Sequence, residues 1–168
     1  MKTLTPARLS RELRLGTGED LRRRRIGMVL SLAGAAIGGV VAAYQTGVLR
    51  RLPDILPGAI FDAEKVDASD YAYEHLQMPD GPQMLVNYGL TAALIAAGGK
   101  RRAQEAPALP MAAAGKAAFD FILCVALARK EWAQNGKFCS WCQVATALSA
   151  LTLAATVPEA VKAVRKQL

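Results

Sequence analysis

Four stretches of this chain run almost without charge: Ile26 to Leu49, Gly81 to Gly99, Ala106 to Ala128 with only Lys116 and Asp120 inside it, and Phe138 to Pro158. Each approaches the ~20 residues that an α-helix needs to cross a ~30 Å hydrocarbon layer. A helix in water would carry charge on its outward face every third or fourth position, and runs such as LSLAGAAIGGVVAAY have no such face. The pattern predicts an all-α chain built as a four-transmembrane-helix bundle. A soluble bundle with unusually apolar helices is the alternative, and it would have to leave those runs without a polar side. The mean hydropathy of +0.18 is modest only because polar segments precede and follow the first span. The spans are rich in Ala and Gly, and small residues let helix backbones approach closely in lipid. Gly34, Gly38 and Gly39 form such a pattern in the first span.

Lysine and arginine fall unevenly on the two sides of these spans. Fourteen lie on one side: Lys2, Arg8, Arg11, Arg14, Arg22 to Arg25, Lys100 to Arg102, Lys162, Arg165 and Lys166. Six lie on the other: Arg50, Arg51, Lys65, Arg129, Lys130 and Lys137. The bias places both termini in the cytoplasm. The formal charge of +7 then reads mainly as a topology signal, and the RRRR run as an anchor or a contact for anionic headgroups. No nucleic-acid partner is expected. The expected organisation is a basic cytoplasmic tail over 1–25, a membrane domain over 26–158 and a cytoplasmic tail over 159–168. Within the domain the spans lie near 26–49, 81–99, 106–128 and 138–158, with an external loop over 50–80. The first span is too long for a signal-peptide core and is read as retained.

The sharpest chemical motif is Cys139-Ser140-Trp141-Cys142, at the outer end of the fourth span. Residues i and i+3 share a helix face, near enough for a disulfide after small adjustment. A cysteine at a helix N-terminus meets unpaired N–H groups and the positive end of the dipole, which favour thiolate, and Lys137 adds charge nearby. Reversible dithiol–disulfide exchange suits this arrangement; an inert pair of thiols stays open. No metal is expected, because zinc would need two more ligands and only Cys124 and His75 are available. On an oxidising external face disulfides persist, and the lipid-soluble electron acceptor at hand is a quinone. Cys124, in mid-span, reads as a packing residue.

The loop over 50–80 is the one connection with room for its own structure. Pro53, Pro57 and Pro79 punctuate its ends. The spacing from Asp62 to His75 predicts a short helix, with Ala68, Tyr71, Ala72 and Tyr73 able to lie against the bundle. A loop of this length is a cap over a site or a solvated linker; His75 reads as a surface residue. Lys116 and Asp120, at i and i+4 inside the third span, are expected to face the bundle or each other, as a structural pair or as proton-handling groups.

Three segments carry a family resemblance: YQTGVLRRLPD after the first span, FDAEKVDASDYAY with the following MPDG, and FCSWCQVATALSALTLA. With four spans and a CxxC opening the last, the chain resembles the vitamin K epoxide reductase family, particularly its small bacterial membrane members, over roughly Ile26 to Val157. The resemblance implies that Cys139 and Cys142 are catalytic beside a bound quinone, ubiquinone or menaquinone. Cys142 would contact the quinone, and Cys139 would exchange with an incoming dithiol such as a thioredoxin-like external partner. Better-known members hold two further cysteines in the first external loop; here the matching place reads Asp67-Ala68-Ser69.

The resulting expectation is a quinone-linked thiol oxidoreductase, multi-pass in the bacterial inner (plasma) membrane and in contact with the lipid bilayer. Trp141, Phe138 and Tyr88 are expected to bind the cofactor, and Tyr44 could join the wall; placement in an interfacial aromatic belt explains these residues equally well. The alternative is a non-catalytic membrane interaction protein that retains the fold. A small transporter has only Lys116 and Asp120 in its favour.

Overall fold

The computed structural model describes residues 5–74 and 77–167. His75 lies outside them. The described residues form helices α1 (Pro6–Leu15), α2 (Glu19–Gln45), α3 (Ala63–Asp67), α4 (Asp80–Ala96), α5 (Arg102–Glu105), α6 (Ala108–Asn135) and α7 (Ser140–Arg165), with a 3-10 turn at Asp70–Tyr73. Among them no strand forms; a single backbone bridge joins Phe61 to Phe138.

Helices α2, α6 and α7 are each long and apolar enough to cross a membrane. Helix α4 has 17 residues, about 25 Å of rise. It is shorter than the 81–99 span expected, because the chain leaves helical geometry at Ala97 and turns at Gly98 with φ 83°. The other three helices overrun the apolar stretches that announce them. Glu19 and Asp20 occupy the first turn of α2, where the dipole favours acids, so Arg22 to Arg25 lie within the helix. Helix α6 passes Arg129 and Lys130 and ends only at left-handed Gly136. Helix α7 continues through Pro158. Beyond that proline Glu159 is held by Arg102, with Nη2 to Oε2 at 2.7 Å, and Lys162 by Asp20 at 2.5 Å.

Helix α2 packs chiefly on α4 and α7, and α6 on α7. Small residues permit the closest approach. A Cβ on Gly34 would stand 2.5 Å from the Tyr88 ring, one on Gly38 2.7 Å from the Leu85 nitrogen, and one on Gly81 2.3 Å from the Ala42 nitrogen. Gly39 faces open space, so only part of the small-residue pattern is contact.

One end of the bundle is fastened by two buried guanidiniums. Arg24 donates to the carbonyls of Ile95, Ala96, Ala97, Gly98 and Gly99, and Arg102 to those of Leu94, Ile95 and Ala97. These are the orphan acceptors at the C-terminus of α4 and in the turn beyond it. Inside the bundle Lys116 pairs with Asp120, as expected. Asn87 Nδ2 also donates to Asp120 at 2.8 Å and Thr91 Oγ1 at 2.5 Å, so the charges sit in a closed network.

The segment from Asp62 onward forms two short pieces rather than one helix. The Asp62 carboxylate caps α3 by accepting from Lys65 N–H at 3.0 Å, and the chain then breaks at Ala68 and Ser69 before the 3-10 turn. Tyr71 and Ala72 are buried against the bundle, whereas Ala68 is exposed. The Tyr73 hydroxyl reaches the Gln45 carbonyl at 3.1 Å.

Candidate functional site

Cys139 is the N-cap of α7: its sulfur accepts from the Cys142 backbone N–H at 3.3 Å. The two cysteines stand unbridged. The i, i+3 geometry therefore places both sulfurs at the helix mouth, as the spacing predicts. Their exposures differ: Cys139 is fully buried, whereas Cys142 is half-buried and opens onto a cavity.

The segment between α2 and α3 seals Cys139. Ser140 Oγ accepts from Ile55 N–H at 3.0 Å, and Ser140 N–H donates to Asp54 Oδ1 at 3.3 Å. The other Asp54 oxygen accepts from Ala63 N–H at 3.1 Å. Trp141 Nε1 donates to the Pro53 carbonyl at 3.0 Å. Asp62 N–H reaches the Phe138 carbonyl at 3.0 Å, and Phe138 N–H the Ile60 carbonyl at 2.9 Å. Phe138 also stacks on Trp132, centroids 4.9 Å apart. Phe138 and Trp141 thus hold the loop over the dithiol.

The cavity, about 240 Å³, lies between α4, α6 and α7 beneath Tyr71. Its wall includes Met84, Asn87, Tyr88, Leu123, Leu127, Cys142, Gln143, Ala145 and Thr146. Tyr88 is placed there as expected, its hydroxyl donating to the Ala145 carbonyl at 2.6 Å and meeting Ser149 Oγ at 2.6 Å. Neither Phe138 nor Trp141 lines it. Tyr44 instead donates to the Glu64 carbonyl at 3.4 Å. Cys124 is on the wall, 3.6 Å from Ser149 Oγ. A largely apolar enclosure with a few convergent polar groups is the usual form of a small-molecule site, and here two thiols, Cys124 and Cys142, also face it.

Two acids complete the site, and sequence reasoning assigned a role to neither. Glu131, 1% exposed, accepts from the Cys139 N–H and from Gln143 Nε2 at 3.1 Å. It holds the first turn of α7 from α6. Asp67, 2% exposed, ends α3 beneath the dithiol. Its Oδ1 accepts from Cys142 Sγ at 4.0 Å, and carboxylate and both sulfurs lie within 4.8 Å of one another. Burial pushes Asp67 up to about 6 against a hydrogen bond from the Cys139 thiol that lowers it, and the charge of Asp54 adds to the rise. Burial likewise pushes the Tyr71 phenol well above its usual range. The one available signal for Asp67 was its place in the DAS segment, where the resemblance expects a cysteine.

Among proteins of curated function and among solved structures nothing matches this chain. A family model does, over residues 25–157, and its description is the vitamin K epoxide reductase family. The match runs from the end of the arginine run to the apolar half of α7 and encloses the dithiol, the loop above it and the cavity. The chain belongs to the vitamin K epoxide reductase family, a family of membrane thiol oxidoreductases.

Proposed function

We propose that the chain passes electrons from an external dithiol through Cys139 and Cys142 to a quinone. The observation that carries this reading is the opening of Cys142, half of a CxxC pair, onto a largely apolar cavity inside the bundle. The cavity chemistry fits a quinone head. Its walls are mostly apolar, and Asn87 and Gln143 each commit one amide N–H inside the protein, leaving a second N–H for a quinone carbonyl. Those amides would hold the ring, with Tyr88 supporting the wall. A bound quinone would supply an acceptor for two electrons and two protons.

The protein's own groups do the rest. Glu131 and the N-cap geometry fix Cys139 over the first turn of α7, and the loop excludes water from it. A partner thiolate attacking Cys139 releases Cys142 as the leaving thiolate, at the cavity wall. All four long helices then cross the membrane, α4 as the shortest, with both termini cytoplasmic and the dithiol outside, in a bacterial inner membrane. The basic tail over 1–25, the domain over 26–158 and the tail over 159–168 follow that topology.

Thiol trapping in cells tests this. Cys142→Ala should accumulate a mixed disulfide on Cys139, and in the unmodified chain the pair should shift toward the dithiol when quinone synthesis is blocked. A pair that stays reduced under every quinone condition, with no trapped partner, overturns the proposal and leaves a non-catalytic interaction protein with the same fold.

A further inference from the structure

Glu131, Asp54 and Glu64 surround the dithiol with Asp67, and each of those three holds backbone or side-chain donors that Asp67 does not. Both oxygens of Glu131 accept from α7, on Cys139 N–H and Gln143 Nε2. Both oxygens of Asp54 accept backbone N–H groups, from Ala63 and Ser140. Glu64 accepts from Leu52 N–H at 3.0 Å and faces Arg51. The only groups the Asp67 carboxylate meets are thiols: Cys142 Sγ donates to Oδ1 at 4.0 Å with Cys139 Sγ close by, and the fully buried Oδ2 has no hydrogen-bond partner.

The titratable groups around Asp67 are all acidic. Tyr44 faces it from α2, Asp54 from the loop, Tyr71 from the 3-10 turn, Glu131 from α6, and Cys139 and Cys142 from α7. Among the described residues Asp67 forms no ion pair with a lysine or arginine. A buried carboxylate without a cation is costly as a charge and is stabilised by sharing a proton. Of the two thiols beside it, Cys142 donates to Asp67 Oδ1 and opens onto the cavity.

We propose that Asp67 is the proton acceptor of Cys142. As the thiolate forms, the Sγ–H bond breaks, its electron pair stays on sulfur, and the proton forms an O–H bond on the Asp67 carboxylate. The two groups carry one negative charge before and after, so no net charge enters the buried site. When Cys142 is expelled from a disulfide as thiolate, the same proton returns to it. Burial holds Asp67 near 6, where a carboxyl both accepts and returns a proton near neutral pH. The inference rests on the dithiol reading given above and assigns the proton that the reading leaves unplaced.

The test is the rate at which iodoacetamide alkylates Cys142 in Cys139→Ala protein in lipid nanodiscs, followed across pH by peptide mass so that Cys124 is counted separately. Two groups sharing one proton give a rate that rises about tenfold per pH unit to roughly pH 6, stays flat for about two units, then rises again. Asp67→Asn should remove the flat segment and give one continuous rise. A parent profile without the flat segment overturns the proposal even if the variant does not fold, and so does a flat segment that survives in Asp67→Asn. Neither quinone nor partner takes part in the measurement. A chain that shows the flat segment yet never traps a partner in cells refutes the electron-transfer reading alone; one that traps a partner without the flat segment refutes only the role of Asp67.

Discussion

Glu131, near the end of α6, receives the backbone N–H of Cys139, the residue that opens α7. The contact joins two helices at the atom pair that orients the dithiol, and it is fully buried. Removing the carboxylate leaves that buried N–H without its acceptor, at a cost of about 1–3 kcal/mol. Glu131→Ala should therefore lower the thermal unfolding midpoint in detergent. Glu131→Gln keeps one carbonyl acceptor and should lower it less. Equal loss in both variants would show that the acceptor is not what matters.

The glycines of α2 make a graded prediction. Gly38→Ala drives a methyl to within 2.7 Å of the Leu85 backbone nitrogen, where nothing flexible can yield, so α2 and α4 must separate at about 1–3 kcal/mol. Gly34→Ala meets the Tyr88 ring at 2.5 Å, and that ring is held by Ala145 and Ser149, so a similar loss and a disturbed cavity follow. Gly39→Ala, facing open space, should fall within about 0.5 kcal/mol of the parent. Unfolding midpoints of the three variants, side by side, decide whether this stripe is the interface.

Burial of Asp67 gives the fold a pH dependence of defined sign. Its folded pKa, about 6, lies above the ordinary 3.8, so between those values the folded chain binds more protons than the unfolded one. This contribution to stability is largest below about pH 4, falls as pH rises toward 6, and is flat above. A shift of two units corresponds to about 3 kcal/mol. Asp67→Asn removes this contribution, so relative to the variant the parent loses stability from pH 4 to 6. Unfolding midpoints against pH for the two proteins measure the difference, and a parent that gains on the variant over that interval contradicts the assignment.

What could be read from the residues alone follows the range of the interactions involved. Cys139 and Cys142 were legible because i, i+3 spacing is local and helix geometry does the rest. The long helices were legible from their apolar runs, but their ends were not. Arg129 and Lys130 stop the apolar pattern without stopping α6, and Glu159 is anchored past Pro158 by Arg102 from another element. Arg24 stands among four consecutive arginines and differs from them only in lying against the end of α4, 6% exposed. Glu131 and Asp67 were invisible for the same reason: an acid in a polar stretch is ordinary until tertiary structure buries it under a thiol. Phe138 and Trp141 stand beside the cysteines in sequence, yet Phe138 precedes α7 in a backbone bridge to Phe61 and Trp141, in the first turn, donates to Pro53, so both face the loop and not the cavity.

The loop over Cys139 is a clamp whose strength can be altered without touching either sulfur. Asp54 accepts from Ala63 N–H and Ser140 N–H, fastening the segment after α2 both to α3 and to α7. A reagent from outside would reach the buried Cys139 sulfur by lifting that segment. Each hydrogen bond contributes about 1 kcal/mol net. Asp54→Ala should therefore favour the open form by about 2 kcal/mol, roughly a thirtyfold rise in its population. Alkylation of Cys139 by a membrane-impermeant maleimide should accelerate by a comparable factor in Asp54→Ala, while Cys124, lining the cavity deep in the bundle, keeps its rate. Equal Cys139 rates in variant and parent would mean that the thiol is reached by another route, and that the loop is a covering and not a gate.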